Sequence, residues 1–215
     1  MRVLIACEYS ATVRDAFASR GHDAWSCDLL PSDKGGKHYQ TNVIDLLDEF
    51  EHCGTEWDLL IAHPPCTYLT NSGVTWLWED RKKGIKNEQR WRQLDEGAAF
   101  FRRLLECNIP RIAIENPIPH KYAVERIGRK YDQLVQPFHF GHKESKATCF
   151  WLKGLPKLKH TTDLKKETMA LPYEVRNRLH YLPPSPDRWK IRSKTYQGIA
   201  EAMAEQWGYP PAKRD

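Results

Sequence analysis

Two short stretches of this chain place reactive side chains directly after apolar runs. Cys66 follows the run that ends at Ala62, and Glu115 follows the run Arg111–Ile114. If these runs are adjacent parallel strands, their carboxyl ends meet at one edge of a sheet, where open α/β sheets bind ligands. A thiol is a nucleophile and a carboxyl group is an acid or a base, so this pair in neighbouring loops predicts covalent chemistry.

The local sequence distinguishes Cys66 and Glu115 from the other thiols and acids. Pro64-Pro65 stiffens the approach to Cys66, which orients the thiol instead of leaving it in an apolar core. Glu115 can protonate a ring nitrogen while a thiolate adds to the ring, if a partly dry pocket raises the pKa of its carboxyl group. Asn116 is expected to orient that group. The alternative for Glu115 is a structural role, as a helix cap or as the partner of an arginine.

The first predicted strand-to-helix turn has the composition of a cofactor site that binds no phosphate. Cys7-Glu8-Tyr9-Ser10-Ala11 contains no glycine, so the fingerprint of a dinucleotide-binding turn is absent and NAD and FAD are disfavoured. Asp28 ends the second predicted strand, where an acid commonly binds ribose hydroxyls. Glu8 and Asp28 suit S-adenosylmethionine, a cationic sulfonium that carries an adenosine. The alternative for Asp28 is a turn residue before Pro31.

Strand and helix patterns alternate along the chain and position these residues. The predicted strands are Val3–Ala6, Asp23–Cys27, Trp57–Ala62, Arg111–Ile114, Gln133–Phe138 and Thr148–Leu152, with a short segment at Tyr39–Val43. The predicted helices are Ala11–Arg20, Ile44–Glu51, Asn87–Cys107, Tyr122–Ile127 and Gly198–Trp207. This alternation predicts an α/β protein with a Rossmann-like, mostly parallel sheet and helices on both faces.

The same reading divides the chain into three parts. Residues 1–153 are expected to hold the catalytic and cofactor sites. Residues 154–190 are rich in Pro, Lys and His. They are predicted to form a loop-rich segment for substrate recognition, with one helix around Tyr173–Leu179. Residues 191–215 are expected to form a C-terminal helix that returns to the catalytic part.

Composition limits the compartment and the partners. The 215 residues contain six cysteines without a C-x-x-C pair, so neither a metal site nor a disulfide framework is predicted. No apolar run approaches the ~20 residues of a membrane span and no signal-peptide pattern is present, which predicts a cytoplasmic protein. The net charge is +5, and the basic segments are Arg81–Lys83 and Lys153–Lys166. Cations beside Trp76, Trp78 and Trp91 suit a nucleic acid, or else a solvated helix face with partly buried tryptophan anchors.

The motifs resemble, in order, those of the cytosine-5 DNA methyltransferases, in the small form found in phage and prophage genomes. Pro65-Cys66 is similar to the family's Pro-Cys loop, whose thiol attacks carbon 6 of cytosine. Glu115-Asn116 is similar to its Glu-Asn dipeptide, whose carboxylate engages ring nitrogen 3. The chain departs from the family pattern at Thr67, where a glutamine is usual.

The resemblance implies a set of binding residues around this catalytic pair. For the cofactor, these are Cys7, Glu8, Tyr9, Ser10, Asp28, Asn42, Pro64 and Gly198. For the target base and its strand, they are Pro65, Thr67, Asn116, Lys146 and Thr148. The implied fold is the Rossmann-like fold of S-adenosylmethionine-dependent methyltransferases, in the cytoplasm of a bacterium or of a phage-infected cell.

The activity implied by the resemblance is methylation of carbon 5 of cytosine in DNA, through a covalent adduct with Cys66. Methylation of a cytosine in transfer RNA is an alternative, as is a nucleic-acid-binding protein that has lost catalysis. The letters HPPC are also similar to a motif of the amino-methyltransferases. A thiol hydrolase, with Cys66 as nucleophile and His63 or His120 as base, is a further alternative.

Overall fold

A seven-stranded sheet forms the centre of this protein in a computed structural model, which describes residues 1–54, 56–71 and 75–209. The strands of this sheet are β1 (Arg2–Ala6), β2 (Asp23–Asp28), β3 (His38–Gln40), β4 (Leu59–Ala62), β7 (Ile112–Pro117), β8 (Gln133–Val135) and β9 (Thr148–Lys153). Their order across the sheet is β3-β2-β1-β4-β7-β9-β8. A separate antiparallel pair is formed by β5 (Trp78–Asp80) and β6 (Ile85–Lys86).

Helices cover both faces of the sheet. They are α1 (Thr12–Ala18), α2 (Val43–Cys53), α3 (Glu88–Glu106), α4 (Lys121–Ile127), α5 (Lys165–Met169), α6 (Tyr173–Arg176), α7 (Arg178–Tyr181), α8 (Arg188–Ser193) and α9 (Gln197–Trp207). Helices α1 and α9 pack on one face, and α2, α3 and α4 contribute to the core on the other. The predicted Rossmann-like α/β fold is therefore confirmed, because a mostly parallel sheet lies between two helical layers.

The parallel half of the sheet positions the site. β4 lies between β1 and β7 and is parallel to both, with Leu60 opposite Ile112. All four residues of β4 are buried, as expected for a strand covered on both faces. The predicted adjacency of the runs before Cys66 and Glu115 is confirmed, and the carboxyl ends of β1, β2, β4 and β7 lie at one edge.

The longest helix follows the apolar periodicity of its sequence. The side chain of Asn87 accepts the backbone N–H of Arg90 and caps α3, whose buried residues include Trp91, Leu94 and Phe101. Because those residues recur at helical spacing, one face of α3 covers the sheet. Pro110 follows the end of the helix and separates it from β7.

One predicted boundary is wrong at the site. Glu115 and Asn116 were expected in a loop, but they lie inside β7, where they pair with Phe150 and Cys149 of β9. The antiparallel pairing with β9 extends the strand to Pro117, beyond its parallel contact with β4. The backbone beside the Cys66 loop is therefore rigid sheet.

The antiparallel end of the sheet differs in detail from the expected hairpin. β8 ends at Val135, three residues before the predicted end, because Pro137 begins a 3₁₀ turn at Pro137–Phe140. Gly141 follows with a φ of 85°. β9 then pairs antiparallel with both β7 and β8, so the predicted antiparallel pairing of these two segments is confirmed.

The region after β9 is more helical than its sequence indicates. It contains four short helices, α5 to α8, where one was expected. α8 spans the predicted boundary at residue 190, and residues 210–215 of the predicted last part lie outside the described residues. α9 packs on α1, so the end of the described chain returns to the face of the sheet that α1 covers. In the described part of the chain, no helix is both long and apolar enough to cross a membrane.

Candidate active site

An open cavity of about 770 Å³ lies at the carboxyl edge of the sheet. Loops after β1, β2 and β4 contribute to its wall, together with β7 and the segment before β9. Eleven residues predicted to be catalytic or binding line it: Cys7, Glu8, Tyr9, Ser10, Asp28, Pro64, Pro65, Cys66, Thr67, Glu115 and Lys146. The fold thus brings together in one cavity the thiol, the carboxylate and the first turn, which are far apart in the sequence.

The turn after β1 is closed by a side chain of its own. The buried carboxylate of Glu8 accepts the backbone N–H of Val13 at 2.7 Å and that of Arg14 at 3.1 Å. These N–H groups at the start of α1 are the donors that a bound phosphate would otherwise use. Glu8 therefore acts as an internal anion in the position of a pyrophosphate.

The same turn adopts backbone conformations that normally favour glycine. Cys7 and Ala11 have φ values of 57° and 60°. The left-handed region is unfavourable by about 1–2 kcal/mol for a residue with a Cβ atom. The turn therefore keeps a tight, glycine-like path although its sequence contains no glycine.

Asp28 lies at the end of β2 beside this turn. Its carboxylate accepts the backbone N–H of Leu30 at 2.9 Å. Burial raises the pKa of Asp28, and the backbone hydrogen bond opposes that shift. The carboxyl group lines the cavity, so it is available to a hydroxyl donor.

Residues 188–194 cross the cavity mouth and are attached to both sides of it. The Tyr9 hydroxyl donates to the carbonyl oxygen of Lys190 at 2.9 Å and lies 3.2 Å from the Ser193 hydroxyl. Lys194 pairs with Asp33 at 2.7 Å. On the opposite side, the Lys146 ammonium donates to the carbonyl oxygen of Arg192 at 2.9 Å. This crossing segment gives the open cavity a partial cover.

Cys66 lies in a tight turn after the two prolines. Its carbonyl oxygen accepts the backbone N–H groups of Leu69 and Thr70 at 3.1 and 3.3 Å. Burial raises the pKa of the Cys66 thiol, Glu115 adds to that shift, and Lys146 opposes it. In the free protein the group is therefore a thiol at neutral pH.

Glu115 is paired with His63, which the sequence indicated only as the alternative base of a thiol hydrolase. The Oε2 atom of Glu115 lies 3.1 Å from Nδ1 of His63, and these side chains are only 14% and 8% exposed. Burial alone would raise the pKa of Glu115, but the hydrogen bond and charge of His63, with Lys146, lower it. The expected rise in the pKa is therefore wrong, and Glu115 is a carboxylate in the free protein.

Two predicted base-binding residues lie behind the cavity wall and stabilise it through hydrogen bonds. The amide of buried Asn116 donates to the carbonyl oxygen of Pro64 at 3.3 Å, which fixes the cysteine loop to β7. The hydroxyl of Thr148 donates to the carbonyl oxygen of Lys146 at 3.2 Å. Neither residue lines the cavity. Asn116 thus orients the loop that carries Cys66, where the sequence indicated the carboxyl group of Glu115.

Two predicted cofactor residues lie elsewhere in the fold. Asn42 caps α2, since its side chain accepts the backbone N–H of Ile44 at 3.0 Å. Gly198 lies at the start of α9, where a Cβ atom would come within 1.9 Å of the carbonyl oxygen of Phe140. A structural role explains the residue type at each of these two positions, and neither residue lines the cavity.

Several cavity residues were missed because they come from distant segments. They include Asn177, His180, Trp189 and Arg192, whereas Trp76, which was expected beside a nucleic acid, also lines the cavity. Trp76 is 66% exposed, whereas Trp91 belongs to the core, so the tryptophan cluster is part surface and part anchor. Cations cluster around Trp189 in the sequence, and this pattern was an available signal for Trp189 and Arg192.

Comparisons with known proteins find matches among solved structures. No family model and no curated protein matches the chain. A solved E. coli structure that is similar is provisionally described as a DNA modification methyltransferase encoded within a prophage. The two chains share 16% sequence identity with a TM-score of 0.46, over 80% of this chain and 56% of the other. This chain spans little more than half the length of that relative, and so distant a match carries no argument about activity.

The site itself limits the chemistry. Among the described residues, no group of three or more His, Cys, Asp or Glu side chains is arranged to hold a metal ion. The buried Nε2 atom of His63 has no hydrogen-bond partner, so no hydrogen bond joins it to Cys66. A thiol hydrolase requires contact between its nucleophile and its base, so this geometry disfavours a hydrolase with His63 as the base of Cys66.

Proposed function

We propose that this protein transfers a methyl group from S-adenosylmethionine to carbon 5 of a cytosine in DNA, through a transient bond between Cys66 and carbon 6. The observation that carries the proposal is that Cys66 and Glu115 line the same cavity as the turn after β1. A nucleophile, an acid–base group and a nucleoside site in one cavity are the parts that this reaction requires.

The residues of the first turn fit a cofactor without phosphates. Glu8 already occupies the N–H groups that a pyrophosphate would need, and a second anion there would be repelled. Asp28 can accept ribose hydroxyl groups, and Tyr9 and Trp189 offer aromatic walls on the covered side of the cavity. When bound, S-adenosylmethionine supplies the methyl group as an electrophile for carbon 5 of the base.

The protonation states of the free site fit the transfer of one proton. Cys66 rests as a thiol and Glu115 as a carboxylate. As sulfur bonds to carbon 6, the S–H bond breaks and its proton passes through Glu115 to ring nitrogen 3. The electron pair of the 5,6 double bond moves to the 4,5 position while nitrogen 3 takes the proton, so carbon 5 becomes an enamine-like nucleophile.

Release of the product reverses the addition. Once methylated, carbon 5 still carries its original proton. Loss of that proton to water re-forms the 5,6 double bond and breaks the bond between carbon 6 and sulfur, so that Cys66 leaves as a thiolate. The proton on nitrogen 3 returns to the thiolate, and one proton is released in total, which balances the loss of the sulfonium charge.

The cavity mouth suits a nucleotide that has left a duplex. A stacked cytosine hides its face, so extrusion would cost a few kcal/mol, which contacts to the flipped base have to offset. Trp76 and Arg90 line the mouth, and Lys146 adds a cation beside the reacting pair. Arg81–Lys83 follows Trp76 closely in the β5–β6 region, where exposed cations can contact phosphates.

Label transfer tests the proposal directly. The protein is incubated with S-adenosylmethionine carrying a labelled methyl group and with duplex DNA, single-stranded DNA or transfer RNA. We expect label at carbon 5 of cytosine in DNA, its loss in Cys66→Ser, and its retention in Cys53→Ser, the matched variant of an exposed thiol outside the cavity. Label only in transfer RNA would replace DNA with RNA as substrate, and no label despite cofactor binding would overturn the proposal.

A second experiment tests the covalent step. DNA that contains 5-fluorocytosine cannot lose the substituent at carbon 5 as a proton, so the adduct with sulfur should persist. Mass spectrometry should then find the DNA joined to Cys66 and to no other cysteine. Methyl transfer without any trapped adduct would contradict the covalent mechanism.

A further inference from the structure

The position of His63 is set by the sheet and not by its neighbours in the sequence. It directly follows β4, and its backbone N–H donates to the carbonyl oxygen of Ala6 at 3.0 Å, which continues the parallel ladder past the end of the strand. Its side chain is 8% exposed, and the residue lines the cavity between the first turn and the Cys66 loop. The sheet therefore fixes the backbone of His63 beside the reacting pair.

The hydrogen bond to Glu115 has a defined direction. The Oε2 atom of a carboxylate can only accept, so Nδ1 of His63 carries the proton across the 3.1 Å contact. The other ring nitrogen, Nε2, is buried without a hydrogen-bond partner. A buried orphan of this kind costs about 1–3 kcal/mol, so the position favours histidine for a reason other than stability.

We propose that His63 is a positioning residue for catalysis, which holds Glu115 through Nδ1 as an aimed carboxylate ready to accept the Cys66 proton. This inference rests on the proposed function. A carboxylate held by a strong donor keeps one orientation, whereas a free one rotates and, when buried, takes up a proton from solvent. His63 thus acts on the reaction only through Glu115.

The surroundings of Glu115 come from three elements. His63 and Cys66 face it from the loop after β4, Lys146 from the segment before β9, and Cys149 from β9 itself. Of these, His63 is the one that donates a hydrogen bond to the carboxylate, and Lys146 acts through its charge. Removal of His63 therefore leaves the burial of Glu115 opposed mainly by a single cation.

A set of three variants separates the donor from the ring. His63→Asn places an amide N–H near the position of Nδ1, His63→Gln moves the amide toward the position of Nε2, and His63→Ala removes both. Carbon-13 NMR of labelled glutamate, with Glu115→Gln to assign the signal, follows the titration of Glu115 without any substrate. The rate of adduct formation with 5-fluorocytosine DNA and the pH profile of methyl transfer give the functional readouts.

We expect the pKa of Glu115 to rise in His63→Ala and His63→Gln and to stay near the wild-type value in His63→Asn. The adduct should form about 10- to 100-fold more slowly in His63→Ala, with the acid limb of the pH profile moved to higher pH, because a protonated Glu115 cannot accept the thiol proton. Binding of S-adenosylmethionine should not change. His63→Asn should recover most of the rate, and circular dichroism should show the same fold in each variant.

The failure of this inference differs from the failure of the proposed function. If Glu115 titrates alike in wild type and His63→Ala, the inference is overturned, whatever the activity. If His63→Asn keeps the titration of Glu115 but is as slow as His63→Ala, the ring transfers a proton itself and the positioning role is wrong. If the wild type neither methylates nor traps DNA, the proposed function fails, while the titration still decides the role of His63.

Discussion

The carboxylate of Glu8 accepts the backbone N–H of Val13 at 2.7 Å, five residues further along the chain. It also accepts the N–H of Arg14, so one buried acid closes the turn after β1 and caps the start of α1. In a dinucleotide-binding protein a phosphate has this position and glycines make room for it. In this chain the anion is covalently part of the turn, which explains how the turn works without glycine.

Removal of this carboxylate should destabilise the fold. In Glu8→Ala the two N–H groups lose their charged acceptor in a buried setting, so we expect a loss of about 1–3 kcal/mol in the free energy of unfolding. Glu8→Gln keeps one acceptor oxygen and should lose less. Urea denaturation measures both, and an unchanged free energy of unfolding in Glu8→Ala would mean that the carboxylate is not the cap.

The reactivity of Cys66 should depend on pH in a characteristic way. Because burial and Glu115 raise the pKa of its thiol, its alkylation by iodoacetamide at pH 7 should be slower than that of the exposed Cys53. The alkylation rate of Cys66 should keep increasing as the pH rises above 7. Mass spectrometry of the two peptides gives both rates in one sample, and faster labelling of Cys66 at neutral pH would contradict the raised pKa.

Glu115 should make stability depend on pH in the acid range. Its pKa is lower in the folded protein than in the unfolded chain, so its contribution is present above its ordinary value of 4.5 and is lost as the pH falls through the folded value. The wild type should therefore lose its advantage over Glu115→Gln at low pH. Urea titrations of both proteins between pH 3 and pH 7 check this, and a constant difference would show that Glu115 is not ionised in the fold.

Tyr9 should control the segment that crosses the cavity. Tyr9→Phe removes the hydroxyl that binds the carbonyl oxygen of Lys190 and contacts Ser193, while the ring is kept. We expect faster cleavage by trypsin after Lys190 and Arg192, because residues 188–194 are then less firmly attached. Tyr181→Phe, at an exposed tyrosine of the same region, should cleave at the wild-type rate.

Trp76 should contribute to nucleic-acid binding at the cavity mouth. A base stacked on an exposed aromatic ring gains about 1–3 kcal/mol, so Trp76→Ala should weaken binding by roughly 5- to 150-fold. Tyr209→Ala, at an equally exposed ring that does not line the cavity, is the control. Fluorescence anisotropy with labelled DNA measures both, and equal binding by the two variants would exclude stacking at Trp76.

The order of strands and helices could be predicted because apolar periodicity is local. β4 and α3 were predicted within two residues of their ends, since a buried strand is apolar throughout and a helix repeats its apolar residues every three to four positions. The end of β7 was not, because its last residues are ordered by β9, more than 30 positions later. Polar residues such as Glu115 and Asn116 carry no strand signal of their own.

The amino-acid sequence by itself determined that Cys66 follows two prolines, that Glu115 follows a buried apolar run, and that the turn after the first strand contains no glycine. Only the tertiary structure decided their protonation and their partners. The pairing of His63 with Glu115, the cover formed by residues 188–194 and the internal anion of Glu8 all depend on distances between atoms that the chain brings together by folding. The physical reason is that a pKa is set by burial and by nearby charges, which are properties of three-dimensional surroundings.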